Sequence, residues 1–191
     1  KALSLQYPFY QANLIKGDSY NALENYTAAL EEYLLAYQYD STDISLIKVI
    51  SETFFKTNNF AQAITFYNKV IEIANENISL LIDRGNAFYA NEEFYLAIND
   101  YQKYLQLGQD NAAIYIKIGN AFQKMDSVVT AILYYNKAIE IDSTNYVAIE
   151  EKGNVLYNLG DNYSALNEYI YAAAYDTLNA SLYRMIGICL Y

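Results

Sequence analysis

The feature that most constrains this chain is a strict internal period. Gly85, Gly119, Gly153 and Gly187 stand 34 residues apart, and Gly17 lies two periods upstream of Gly85. Ala29, Ala63, Ala97, Ala131 and Ala165 share a second phase; Tyr33, Tyr67, Tyr101, Tyr135 and Tyr169 share a third. No insertion or deletion breaks the register. The stretch from Ile78 to Asn111 shows what one period contains. An apolar run through Phe88 is followed by a polar break at Asn91-Glu92-Glu93, then by a second run from Phe94 through Tyr101 to Tyr104. Each run recurs at helical spacing, so one period predicts two short amphipathic helices joined by a tight turn. Helix pairs repeated at a fixed interval stack on their neighbours instead of closing a core. The expected fold class is therefore all-α, a solenoid of helix pairs.

Five full units are expected: 10–43, 44–77, 78–111, 112–145 and 146–179, with 180–191 as the first helix of a sixth. Lys1-Ala2-Leu3 matches Lys137-Ala138-Ile139, so residues 1–9 read as the tail of a preceding unit. Pro8 is expected to end that helix, because proline lacks the N–H and clashes with the preceding turn. Both ends then cut through repeats, and the chain reads as a piece of a longer array. Cut ends expose helix faces, which gives an expectation of self-association through them, since terminal repeats normally need polar caps.

The shared phases have physical reasons. Glycine in a helix costs about 1 kcal/mol relative to alanine, so its recurrence implies a close approach where no Cβ fits. Alanine at the second phase does the same on the second helix. The tyrosines at the third phase, with Tyr20, Phe54, Phe88 and Phe122, are expected to fill the space between paired helices. Ser51 replaces glycine in one unit, where a slightly wider contact is expected. Asn58-Asn59, Glu92-Glu93, Asp126-Ser127 and Gly160-Asp161 mark the hairpin turns. Asp40 to Asp43, Asp142 to Asn145 and Asp176 to Asn179 supply polar caps before the next helix.

Composition narrows the function. At 54% hydrophobic the chain is too apolar for disorder, and no run reaches the roughly 20 apolar residues that span a bilayer. Lys1 to Leu5 is too short and polar for a signal peptide; a leader removed upstream would leave no trace, so the compartment is not readable. The net charge of −10 repels phosphate backbones, which argues against nucleic acid and favours a partner with basic segments. Cys189 is the single cysteine, so no internal disulfide can form, and it reads as a buried small hydrophobe. There is no histidine, which removes Ser-His-Asp and Cys-His arrangements and the usual zinc ligands. No segment gathers carboxylates, lysines or tyrosines into a catalytic constellation. The expectation is a non-catalytic chain without cofactor or metal.

These residues resemble the tetratricopeptide repeat family over essentially the whole chain. Counted from the first residue of each unit, the family pattern asks for a large apolar residue at 4, Gly or Ala at 8, an aromatic at 11, Ala at 20, an aromatic at 24 and Ala at 27. Unit 112–145 gives Tyr115, Gly119, Phe122, Ala131, Tyr135 and Ala138; unit 146–179 gives Ile149, Gly153, Leu156, Ala165, Tyr169 and Ala172. The usual proline near position 32 is missing, with Ser41, Asn75, Gln109, Ser143 and Thr177 in its place. Tyr104 stands where a small residue is expected, and Asn162 replaces the aromatic at 17. The resemblance implies a right-handed superhelix of antiparallel helix pairs whose first helices line a concave groove. Similar proteins bind peptides or partner subunits there and are rarely catalytic. It also admits an alternative, that the segment is a recruiting or regulatory arm of a larger protein with its enzymatic domain elsewhere.

In the family, positions 2, 5, 6, 9, 12 and 13 tend to face the groove. Asn86, Asn120 and Asn154 fall at position 9 of consecutive units. A carboxamide both donates and accepts, so such a ladder could hold an extended peptide by its backbone. It is similar to the asparagine ladder of the O-linked N-acetylglucosamine transferases. Against this stands the reading that Gly-Asn-Ala is ordinary repeat consensus solvated by water. Tyr89, Lys117, Gln123, Lys124 and Tyr157 lie around the ladder with Asp83, Glu150 and Glu151, a polar groove with aromatic anchors. Most of the 23 tyrosines must nevertheless be packing residues, given their phases. The lysine, asparagine and arginine set that clamps chaperone-tail carboxylates in some members is not assembled, and Asp83 would repel such a carboxylate. The glycosylation-type triplets at Asn25, Asn77, Asn162 and Asn179 carry no weight in a chain this rich in asparagine.

Overall fold

The hairpins expected from the period are present. The structure, a computed structural model, describes residues 2–73, 78–108 and 110–191, with side chains from Pro8 onward. Lys1, Asn75, Asn77 and Gln109, named in the sequence reading, lie outside the described residues. Among those described there are eleven α-helices and no strand. They run α1 Ala2–Ala22, α2 Tyr26–Tyr39, α3 Ile44–Lys56 and α4 Phe60–Ile73. Then come α5 Ser79–Ala90, α6 Phe94–Leu107, α7 Ala112–Lys124 and α8 Val128–Ile141. The last are α9 Tyr146–Asn158, α10 Asn162–Ala173 and α11 Ala180–Cys189. Two compact units result, Lys1–Asp100 and Tyr101–Tyr191, the division falling inside α6. In the first, each of α1 to α4 packs on its successor; in the second, each of α7 to α10 does.

One expectation is corrected. Pro8 does not end a helix: α1 runs through it from Ala2 to Ala22. The missing N–H removes one backbone bond near the start of a long helix, and the turns that follow are anchored. Tyr10 is buried, and its hydroxyl donates to Asp43 at the head of α3. Phe9 stacks on Tyr39 of α2 with ring centroids 6.4 Å apart. Tertiary packing of this kind routinely overrides a local breaker.

Every described hairpin turns on one residue of positive φ. Glu24 (57°), Asn58 (59°), Glu92 (63°), Asp126 (58°) and Gly160 (81°) occupy the same phase. The next N–H then bonds back to the carbonyl five residues earlier. Asn25 reaches Tyr20 at 2.9 Å, Asn59 reaches Phe54 at 2.9 Å and Glu93 reaches Phe88 at 2.8 Å; Ser127 and Asp161 repeat it at 2.9 and 3.0 Å. This is the Schellman closure, which satisfies carbonyls that the helix end would leave open.

Side-chain caps do the work of the absent proline. Asp43 accepts from the N–H of Ser45 and Leu46, Asn111 from Ala113, Asn145 from Ala148, and Asn179 from Ser181 and Leu182. Asn25 and Asn179, which begin two of the triplets, are therefore helix caps. Asp40 and Asp142 each accept from the N–H and hydroxyl of the threonine two residues on. Those bonds hold both carboxyls below the usual range.

The glycine phase is a bed for tyrosine. A Cβ on Gly17 would sit 2.5 Å from the Tyr33 ring, one on Gly119 2.5 Å from Tyr135, and one on Gly153 2.8 Å from Tyr169. Ser51 occupies this phase fully buried, its Oγ turned back to donate to the Ile47 carbonyl at 2.8 Å. The alanines at 29, 63, 97, 131 and 165 have no exposed surface.

A second pattern recurs every other unit. Lys16 meets Glu32 at 2.5 Å, Arg84 meets Asp100 at 2.6 Å and Lys152 meets Glu168 at 2.8 Å, each between the two helices of one hairpin. In the units between, the same positions hold Ile50 with Phe66 and Ile118 with Tyr134. There the aromatics cluster, Phe54 on Phe66 at 5.4 Å and Phe122 on Tyr134 at 5.3 Å. A lysine lies over each: Lys69 over Phe66 at 4.7 Å and Lys137 over Tyr134 at 5.0 Å.

Candidate functional site

The tyrosine rings of the second helices end in hydroxyls, and those hydroxyls decide the chemistry at position 9. A buried phenol needs a hydrogen-bond partner. Tyr135 Oη donates to Asn120 Oδ1 at 2.7 Å and is 2.9 Å from Gln123 Oε1. Tyr169 Oη donates to Asn154 Oδ1 at 2.9 Å. Tyr33 Oη does the same to Asp18 Oδ1 at 2.9 Å. Two of the expected ladder asparagines therefore already hold a buried tyrosine through their carbonyl oxygen. The amide Nδ2 is the group each has left to donate; that of Asn154 donates to Glu151 Oε2 at 3.4 Å.

The remaining candidates fall in both compact units. Asn86 and Tyr89 lie half-buried on α5, with the Tyr89 ring edge-on to Phe94 at 5.4 Å. Lys117 is half-buried on α7, while Lys124 is exposed at its last turn. Asn120 and Gln123 are brought together on Tyr135. Tyr157 on α9 packs against the cluster of Ile149, Tyr169 and Leu182. Close by, Glu150 is pushed above the usual carboxylate range by desolvation, with Glu151 and Asp176 adding repulsion. Tyr33 and Tyr169 are raised above the ordinary phenol range, burial first in both cases, with the Asp18 bond adding at Tyr33.

The strongest buried pairing is Arg84 with Asp100. The guanidinium donates through Nε at 2.7 Å and Nη2 at 2.6 Å to the two carboxylate oxygens, and through Nη1 to Asn68 Oδ1 at 2.8 Å. Asp100 is 1% exposed, so this fork-to-fork pair, with the Asn68 bond, fastens α5 to α4 and to the middle of α6. Among the described residues no group of three His, Cys, Asp or Glu could hold a metal ion, and no helix is long and apolar enough to cross a membrane.

The comparisons with known proteins agree with this architecture. The family model described as tetratricopeptide repeat matches residues 49–77 and 112–145. A solved structure of MamA protein is 19% identical, covers 91% of this chain and 94% of its own, and superposes with a TM-score of 0.76. A tetratricopeptide repeat protein from Parabacteroides merdae, 14% identical, covers 95% of this chain and 72% of its own with a TM-score of 0.80. YrrB, whose structure is described as that of a repeat protein with an unusual peptide-binding site, is 20% identical over 82% of this chain and 81% of its own, with a TM-score of 0.61. None of the curated protein sequences matches the chain. The unbroken period, the paired helices closing on tyrosine and the shared architecture point the same way: the chain has the fold of tetratricopeptide repeat solenoids, and its residues 49–77 and 112–145 match that family's model.

Proposed function

We propose that the protein is a non-catalytic interaction scaffold that seats an extended peptide, or an extended segment of a partner protein, along the first helices of its repeats. A tetratricopeptide fold implies a protein-interaction role, and a peptide-binding site is described for the structural relative YrrB. The observation that carries the reading here is the bond from buried tyrosine to groove asparagine at Tyr135–Asn120 and Tyr169–Asn154. A tyrosine hydroxyl that fixes the carboxamide aims its N–H donors in one direction. A donor already ordered loses little entropy on meeting a peptide carbonyl. Tyr89, Lys117, Gln123, Lys124 and Tyr157 would flank the bound segment, and the net charge of −10 favours one with basic residues.

The test uses aspartate, not alanine. Asp18 accepts from Tyr33 as the asparagines accept from their tyrosines, so Asn→Asp keeps the internal bond and removes the outward donor. A variant carrying Asn86→Asp, Asn120→Asp and Asn154→Asp should melt close to the parent. It should lose a partner captured by the parent in pull-downs, at both low and high salt, which separates the lost donor from the added charge. Equal capture by parent and variant would show that the asparagines do not touch the partner.

A further inference from the structure

Tyr135 is wholly buried, and two carboxamides of α7 meet its hydroxyl: Asn120 Oδ1 at 2.7 Å and Gln123 Oε1 at 2.9 Å. A phenol has one hydrogen to give and lone pairs that accept. Given to Asn120, the shorter contact, that hydrogen leaves oxygen facing oxygen at Gln123. Half a turn of the Gln123 carboxamide puts Nε2 in the same space as Oε1. Nε2 then donates to Oη, and one chain of bonds runs from Gln123 through Tyr135 to Asn120.

Unit 10–43 holds a similar arrangement with its outer end engaged. Asp18 accepts from Tyr33 at 2.9 Å. Asn21, at the place of Gln123, gives its Oδ1 to Lys56 Nζ at 3.4 Å. Burial, then the bond to Asp18, raises the Tyr33 phenol, and the Asn21 amide lowers it, as a donor beside the oxygen does. Asn158 follows Gln123 as Lys56 follows Asn21, and it makes no bond to Gln123 among the described residues.

Nothing among the described residues bonds to the far end of Asn120 or of Gln123. The one buried polar side-chain atom left unpaired there is Glu32 Oε2, so both far ends reach solvent. They are Asn120 Nδ2, a donor, and, with the amide turned, Gln123 Oε1, an acceptor. Residues three apart share a helix face, with Cβ atoms about 5–6 Å apart. A donor and an acceptor so spaced suit the C=O and N–H that one residue of an extended chain shows on one side, as in antiparallel strands. The N and O of a side-chain amide share one carbon and lie closer together.

We propose that Asn120 and Gln123 clamp one residue of the partner's extended main chain by both its C=O and its N–H. This rests on the groove reading above and adds a demand to it: the residue seated at this unit carries a hydrogen on its backbone nitrogen. Proline, which has none, and N-methylated residues are disfavoured there. The adjoining units carry Tyr89 and Tyr157 at the place of Gln123, so the amide clamp is confined to this one of the three.

The first readout is on the free protein. Cross-relaxation is expected between the Gln123 Nε2 protons and the Tyr135 ring protons beside the hydroxyl; its absence overturns the turned amide and the proposal with it. The probes are acetyl-tetra-alanine dimethylamide and its analogue N-methylated at every alanine, titrated while the side-chain amide signals are followed. The Asn120 and Gln123 signals should shift saturably with the first peptide, and affinity should fall about tenfold or more with the second. In Gln123→Met the two peptides should bind alike. Unmoved Asn120 and Gln123 signals, equal binding by the parent, or a preference kept by Gln123→Met overturns the proposal. So does a larger shift with acetate than with peptide, which would mean that both amides turn donors to the ligand. If the Asn86 and Asn154 signals respond while the N-methylated peptide binds as well as the first, the groove reading stands and the clamp falls.

Discussion

Units 44–77 and 112–145 share a framework. Both carry the isoleucine (Ile50, Ile118), the aromatic (Phe66, Tyr134), the lysine over it (Lys69, Lys137) and the buried tyrosine (Tyr67, Tyr135) at matching positions. Among the positions where they differ are Ser51-Glu52 against Gly119-Asn120, and Phe55 against Gln123. In one the tyrosine hydroxyl meets two carboxamides; in the other it meets none among the described residues. The hairpin forms either way. The ring supplies the packing that makes a unit, and the residue at position 9 decides what the tyrosine hydroxyl meets.

Exchanging the two residues should break the resemblance most. Gly119→Ser puts a Cβ 2.5 Å from the Tyr135 ring, and the expected loss is about 1–3 kcal/mol in urea unfolding. Ser51→Gly should lose about 1 kcal/mol, from helix propensity. A loss at Gly119 no larger than at Ser51 would mean that both units relax around a Cβ equally. Next in size, Tyr135→Phe should lose about 1 kcal/mol with its hydrogen bonds, whereas Tyr67→Phe should change stability by less than about 0.5 kcal/mol. Equal losses would show that Tyr67 has a partner in solution.

Alkaline pH sharpens the contrast. The folded Tyr67 phenol is raised, so its contribution is fully present below the unfolded value of about 10 and is lost as pH rises through the folded value. Melting temperature should fall above pH about 10, less steeply in Tyr67→Phe than in the parent. Identical slopes would mean that this phenol titrates as it does unfolded. The smallest effect belongs to the turns. Asn58→Gly and Asp126→Gly relieve positive φ at residues that already tolerate it, and each should alter stability by only about 0.5 kcal/mol. A clear difference between them would show that the two hairpin turns are strained unequally.

The helix pairs and hairpin turns were legible because helical spacing and turn residues repeat in one register. Pro8 was misread because a breaker signal is local, while the anchoring of Tyr10 against Asp43 and of Phe9 against Tyr39 spans 30 residues or more. The recurrence of asparagine at position 9 is legible as a row of identical residues. The bonds of these asparagines to tyrosine are not, because Asn120 and Tyr135 lie 15 residues apart and meet only once the hairpin closes. A signal existed: every buried tyrosine at that phase needs an acceptor, and position 9 is the polar position that recurs with it. The ion pairs recurring in alternate units have no signature between neighbouring units, where Ile50 and Ile118 hold the position. Lys16, Arg84 and Lys152 align only at twice that interval.

That doubled interval bears on how such a chain can lengthen or shorten. Links between successive units differ with parity. Lys69 reaches back to the Tyr37 hydroxyl at 2.9 Å, and the Tyr134 hydroxyl accepts from Gln102 at 3.1 Å; both join an ion-paired unit to an aromatic one. Arg84 reaches back to Asn68 across the opposite kind of junction. Excising one unit would abut two of the same kind and create a seam with no counterpart in the molecule. Excising two would restore a seam already in use. Judged by these links, the structural period of the chain is a pair of units, twice the length of the sequence repeat.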